Sequence, residues 1–332
     1  MAVTNHFVTA IDLAKIKHIA TKWLVSASFS HKLMKKLITL LIFIILALAK
    51  FSFSQPLTER YNHLGQMFVP QFPSAPFPHP NRINGHDYDD KTYSAQDHYN
   101  DRSVAIFIPN GFKPNDKIDF VVYFHGWNNN IDSACAQFDL IEQFCESNKN
   151  AIFVLPEGPK NSPDSFGGKL EEKDGLKNLI DDVLKYLSEN AKFKPAKVGN
   201  IVLVGHSGAY RVISFCLMRG GLTQNISDVI LFDALYGQTE KYVHWIEKFK
   251  GRFINIYTDN GGTKEETENM MKELDARGTS YFEKEETELN LNDFKNNRLI
   301  FIHTELTHNE VISKRKQFRD YLKTSKLSSI GH

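Results

Sequence analysis

The sequence predicts an α/β protein with a doubly wound, mostly parallel sheet and helices on both faces. Three observations carry this expectation. From residue 103 onward, short apolar runs alternate with stretches of helical periodicity, and that alternation implies parallel strands covered by helices. The clearest helix spans 174–189, where Leu176, Leu179, Ile180, Val183, Leu184 and Leu187 share one face at 3.6-residue spacing. The run Ile201-Val202-Leu203-Val204 enters a turn of small residues, Gly205-His206-Ser207-Gly208-Ala209, and then a second helical stretch.

The 332 residues allow one large α/β domain or two small ones. The chain carries 40 basic and 39 acidic side chains, unevenly placed. Residues 1–54 hold seven lysines and one acid, Asp12, leaving 33 basic and 38 acidic residues, net −5, in the remainder. That balance gives no electrostatic footprint for nucleic acid. From Met34 the chain reads Met-Lys-Lys, then thirteen uncharged residues, Leu37 to Ala49, then small residues at 52 and 54. This is the pattern of a secretory signal peptide over 34–54, cleaved after Ser54. Thirteen residues fall short of the ~20 that span a bilayer, although an uncleaved anchor stays open. Residues 1–33 are then an extension ahead of the natural start at Met34. The expected location is secreted or periplasmic, with membrane contact through this segment alone.

Residues 55–100, rich in Pro, Asn, Asp and Tyr, read as an extended lead-in over the surface. Asp87, Asp89 and Asp90 lack the Gly and Glu of a calcium loop and read as a solvated turn. The main domain follows over 101–325. Strands are expected at 103–109, 120–124 and 151–155, with one helix over 131–147 between the last two. After the strand at 201–204, a helix from 208 is stopped by Gly220-Gly221. Strands at 229–232 and 253–257 flank a helix at 240–249. Thr263 and Glu266 are spaced as a capping box opening a helix to Arg277. Leu299–Ile302 is the last strand and 308–323 the last helix. Cys135 and Cys145 lie about 15 Å apart on one expected helix, and Cys216 on a helix covering the opposite face, so all three read as buried, unpaired thiols. No zinc or redox motif occurs, and no metal or cofactor is expected.

Ser207, at a sharp strand-to-helix turn between small residues, has the setting of a nucleophile elbow. Gly205 and Ala209 must be small because side chains there would collide across the turn. With this elbow, the strand pattern and the downstream Asp and His residues, the chain resembles the α/β-hydrolase superfamily over roughly residues 100–325. Ala209 stands where the family more often has Gly.

The resemblance implies the chain order Ser, acid, His. His308 follows the last strand and is the implied base, whereas His303 at that strand's end and His206 beside the serine read as structural. Two acids end strands at suitable positions. The family more often uses the later strand, which points to Asp259. A minority uses the earlier one, and Asp259 has a ready turn role, so the reading leans to Asp233. Oxyanion donors are implied at the amides of Gly208 and Trp127, the latter in the loop His125-Gly126-Trp127-Asn128. About seven residues separate Phe232 from the next helix, too few for a lid, so an open, shallow site is expected. Trp127, Asn128, Tyr236 and Tyr210 are candidates to line it, and Arg211 reads as a salt-bridge partner. The implied activity is ester hydrolysis on a small molecule or polymer through an acyl-enzyme. A peptidase or amidase with the same residues, and a non-catalytic binding protein on the same scaffold, are the alternatives.

Overall fold

The computed structural model describes residues 34–40, 55–191, 193, 194 and 197–331. Contacts divide the chain into two units, Met1–Pro56 and Leu57–His332. In the first, residues 34–40 form an exposed helix. The extension at 1–33 and the rest of the expected signal segment lie outside the described residues. No helix among the described residues is long and apolar enough to cross a membrane.

The second unit contains β1 (Gly65–Phe68), β2 (His86–Tyr88), β3 (Lys91–Tyr93), β4 (Val104–Pro109), β5 (Lys117–Phe124), β6 (Ala151–Pro156), β7 (Lys197–His206), β8 (Ile226–Phe232), β9 (Arg252–Thr258), β10 (Phe282–Glu285) and β11 (Leu299–Thr304). Its main helices are α1 (Ile131–Gln137), α2 (Leu140–Glu146), α3 (Gly175–Asn190), α4 (Tyr210–Arg219), α5 (Thr239–Lys248), α6 (Lys264–Ala276), α7 (Leu291–Asn296) and α8 (Gln317–Lys323). A nine-stranded sheet runs in the order β1-β4-β6-β5-β7-β8-β9-β11-β10, and β2 with β3 forms a separate hairpin. β4 is antiparallel to both neighbours, and β6 through β10 are parallel.

Both faces are covered, as the sequence predicts. Leu176, Ile180, Ile213, Trp245 and Met270 pack over Ile106, Val122, Leu203 and Leu231 on one face. Phe138, Phe144, Phe294 and Phe318 pack over Val121, Val204, Ile230 and Ile302 on the other. Cys216 belongs to the first cluster and Cys135 to the second, and all three thiols are free. Cys145 is only half-buried.

Several expectations need correction. The helix over 131–147 is two, because Asp139 takes φ +48° and breaks the hydrogen-bond ladder between α1 and α2. The last helix covers only Gln317–Lys323. Residues 308–315 form turns that still bury Val311 and Ile312, which imitate helical periodicity. The lead-in is not merely superficial: Gly65–Phe68 joins the sheet, and Phe72, Ala75, Phe77 and Tyr99 are buried. Asp87 lies in the β2–β3 hairpin and accepts from the Thr92 hydroxyl at 2.6 Å. Among the described residues no cluster of His, Cys, Asp and Glu is arranged to hold a metal.

Candidate active site

Register brings the site together. His206 at the end of β7 pairs with Phe232 at the end of β8, so Ser207 and Asp233 are the next residues off adjacent parallel strands. Both take the left-handed conformation, Ser207 at φ +54° and Asp233 at φ +45°. Such strain costs about 1–3 kcal/mol per non-glycine residue and is tolerated where surrounding structure enforces it. At the elbow the enforcing contacts are close. A methyl group on Gly205 would lie 2.5 Å from Ile213 Cδ1 and 2.9 Å from Ala209 Cβ, which confirms the need for small residues. Ser207 opens a single 3-10 turn that continues into α4.

Asp233 is fully buried. Its Oδ2 lies 2.6 Å from His308 Nδ1 and accepts from the Thr258 hydroxyl at 3.0 Å. Its Oδ1 accepts from the Thr258 amide at 3.2 Å and from the Thr263 hydroxyl. Burial pushes this carboxyl pKa up, but the bonds from His308, Thr263 and Thr258 outweigh it and hold it below the usual range. Donation to Asp233 also corrects the capping expectation: the Thr263 side chain makes no cap bond to α6. A methyl group on Gly261 would fall 1.7 Å from Asp233 Oδ2, so the loop 258–263 can close over the carboxylate only with glycine there.

Asp259, the alternative acid, is exposed and does not meet His308. It pairs with Lys264 at 2.7 Å and with His303 Nε2 at 3.1 Å, while His303 Nδ1 lies 2.8 Å from Glu285. His303 is thus a surface ion-pair residue.

His206 is nearly fully buried, and its ring lies against the His308 ring with centroids 4.6 Å apart. Its Nε2 donates to the His308 carbonyl at 2.9 Å. Burial, then the neighbouring His308 ring, pushes its pKa down to about 3, so the His206 ring is neutral.

The loop after β5 reaches Ser207. A methyl group on Gly126 would lie 2.5 Å from Ser207 Cβ and 3.1 Å from its Oγ. One on Gly208 would lie 2.3 Å from Trp127 Cδ1, so the two residues named as oxyanion donors are in contact. Beneath the loop His125 is buried. Its Nδ1 donates to the Gly126 carbonyl at 2.8 Å, while its Nε2 accepts from the Gly158 amide at 3.0 Å and lies 2.9 Å from Glu157 Oε1. Burial pushes the His125 pKa down, but the Glu157 carboxylate outweighs this and raises it overall.

Two aromatic walls flank Ser207. Trp127 is exposed, and its Nε1 donates to Ser165 Oγ at 2.7 Å. Its ring meets Tyr88 edge-on at 5.2 Å, a partner the sequence reading missed. Tyr236 packs beside His308 and Tyr210 at 6.4 and 6.0 Å between centroids, and its hydroxyl donates to the Gly261 carbonyl. Asn128 takes φ +53° and its amide donates to the Ser162 carbonyl at 3.0 Å, which shapes the loop. Arg211 makes the expected salt bridge, bidentate to Glu171 at 2.7 and 2.9 Å. The enclosed space beside the elbow, lined by Phe124, Ser165, Phe166, Gly208 and Val212, is only about 20 Å³. That suits one water rather than an acyl chain.

The order of strands, the antiparallel second strand and the strained serine after β7 together decide the architecture. This is the α/β-hydrolase fold. Solved structures similar to this chain include a serine-to-alanine mutant of the feruloyl esterase module from Clostridium thermocellum, complexed with sinapinate. It is 12% identical, covers 85% of this chain and 94% of its own, and has a TM-score of 0.49. An S-formylglutathione hydrolase from Staphylococcus aureus is 9% identical over 78% of this chain and 97% of its own, with a TM-score of 0.45. A ferulic acid esterase from Anaeromyces mucronatus, in complex with ferulic acid, is 15% identical over 77% and 98%, with a TM-score of 0.44. No protein-family profile and no curated protein sequence matches the chain.

Proposed function

We propose that this α/β-hydrolase is a serine hydrolase that cleaves carboxylic esters through an acyl-enzyme. The observation that carries the reading is the 2.6 Å contact between buried Asp233 and His308 Nδ1, at the carboxyl ends of the strands, where Ser207 sits in its strained turn. Asp233 fixes the tautomer in which Nδ1 is protonated and Nε2 is free to accept a proton. His308 Nε2 takes the Ser207 proton as Oγ attacks the ester carbonyl. The Trp127 and Gly208 amides receive the oxyanion, each contributing about 3 kcal/mol to the transition state. Collapse of the intermediate expels the alcohol, which takes the proton back from His308. Water, deprotonated by His308, then attacks the acyl-enzyme and releases the acid.

The short segment after β8 and the 20 Å³ space at the elbow support an exposed cleft and a substrate whose acyl group lies along the surface. Tyr236, Tyr210, Trp127 and Asn128 are the proposed walls of that cleft. The basic and apolar pattern at 34–54 supports export from the cytoplasm, with the mature chain beginning at Gln55. N-terminal sequencing of the exported protein checks this part: a mature chain beginning before residue 34 rejects it.

A fluorophosphonate probe tests the chemistry. Wild type labels and Ser207→Ala does not; equal labelling of both, or of neither, rejects the proposal. A panel of p-nitrophenyl esters, aromatic and aliphatic, against the matching anilides separates esterase from amidase, with turnover expected on the esters.

A further inference from the structure

Far from Ser207, the opposite end of the sheet concentrates positive charge around a cleft of about 320 Å³. Arg252 opens β9, and Arg298 directly precedes β11. Lys250, two residues before Arg252, Lys295 in α7 and Lys326 beyond α8 complete the ring. Ser207 and Asp233 leave the carboxyl ends of β7 and β8, whereas this cleft lies at the amino ends, about 20 Å away along a seven-residue strand.

These cations differ in how they are neutralised. Arg252 is buried and donates to Asp228 at 2.6 Å, the carboxylate lining the cleft, and to the Thr324 hydroxyl at 2.8 Å. Among the described residues the other four have no ion-pair partner. Lysines elsewhere hold carboxylates, as Lys160 does Asp101, Lys241 does Glu240 and Lys264 does Asp259. Arg298 is half-buried, and its Nη1 reaches only the Phe249 and Gly251 carbonyls, at 3.4 and 3.3 Å. Burial alone pushes its pKa down, with no negative charge to offset it. Lys149 adds a sixth cation behind the cleft: its buried Nζ donates to the Ser325 and Leu327 carbonyls. Burial pushes its pKa down, Asp228 offsets this only in part, and the charge of Arg252 adds a smaller fall.

Six cations and one carboxylate therefore meet at one end of a body whose residues 55–332 are net −5. A concave, partly desolvated surface of one sign focuses its field and concentrates counter-ions. We propose that this cleft binds a small multivalent anion, a ligand carrying at least two phosphoryl or carboxylate groups. One negative group meets the Arg298 guanidinium, which is suited to planar oxyanions, and a second meets the lysines across the cleft. Asn296, Asn297 and Thr324 supply neutral polar groups in the lining. The volume lies at the small end for ligand sites, which favours compact anions.

The full chain is titrated calorimetrically with inorganic pyrophosphate and, separately, with citrate, with sodium chloride at matched ionic strength as control. At least one of the two binds wild type in a saturable manner. Arg298→Gln weakens that binding by about tenfold or more. The triple variant Lys250→Ser, Lys295→Gln, Lys326→Gln alters exposed positions only and also binds at least about tenfold more weakly. Preference for pyrophosphate or citrate tells a phosphoryl from a carboxylate ligand. Heats no larger than those of chloride, or an unweakened triple variant, overturn the proposal. Fluorophosphonate labelling of Ser207 is the same in all variants, which separates this site from the catalytic reading.

Discussion

His206 lies against the ring of His308, centroids 4.6 Å apart, and donates from Nε2 to the His308 carbonyl at 2.9 Å. The residue before Ser207 therefore positions His308, which follows the last strand. The two segments are 102 residues apart in sequence. His206→Phe keeps an aromatic surface and removes the donor. It lowers kcat by about tenfold with little change in KM, since near-attack geometry rather than substrate contact is lost. Steady-state kinetics check the split; a pure KM effect would place His206 in substrate binding instead.

The same residue leaves a signature in acid stability. Its folded pKa is about 3, against about 6.5 unfolded. Between those values the unfolded chain binds the extra proton, so stability falls as the pH falls from about 6.5. The slope approaches 1.4 kcal/mol per pH unit and flattens near pH 3. Denaturant midpoints measured between pH 7 and 4 decline less steeply for His206→Gln than for wild type. Parallel curves contradict the neutral, buried ring.

Asp233 and Asp259 give a sharp contrast. Asp233→Asn removes the charge that orients His308 and lowers kcat by roughly 10³–10⁴-fold, as expected for a wrong imidazole tautomer. Asp259→Asn removes exposed pairs with Lys264 and His303 and changes kcat less than about twofold. Kinetics with circular dichroism as a control for folding decide it; equal losses would undo the assignment.

The elbow was legible because it is local: an apolar strand, a small-residue turn and a helix follow one another along the chain. The choice between Asp233 and Asp259 was not, because both end apolar strands in nearly the same local context. What separates them is tertiary, since the 258–263 loop folds back over Asp233 and leaves Asp259 in solvent. Thr263 misled for a related reason. Its spacing from Glu266 fits a cap, but its hydroxyl is used by a carboxylate thirty residues earlier. β1 and β10 were missed because each has four residues and one face exposed or charged, as in Phe282-Glu283-Lys284-Glu285. His303 and His308 were separable, because one lies within the strand and the other in the loop beyond it.

Glu157 ties the loop after β5, the proposed source of an oxyanion donor, to its foundation. One oxygen lies 2.9 Å from His125 Nε2, and the other accepts weakly, at 3.4 Å, from the Ile131 amide that opens α1. Both side chains are almost wholly buried, and where both are charged, breaking such a pair costs about 3–5 kcal/mol. Glu157→Gln retains the shape but not the charge. It destabilises the fold and lowers kcat by about 10²-fold, because displacement of Gly126 and Trp127 misplaces an oxyanion donor. The pH dependence fixes the cause. His125 has its folded pKa raised, so the pair's contribution is complete below the unfolded value near 6.5 and is lost as the pH rises through the folded value. Wild type therefore loses stability as the pH rises above about 6.5, and Glu157→Gln flattens that fall. An unaltered fall in the variant means that His125 is neutral in the native protein and that the loop is held by its main-chain bonds alone.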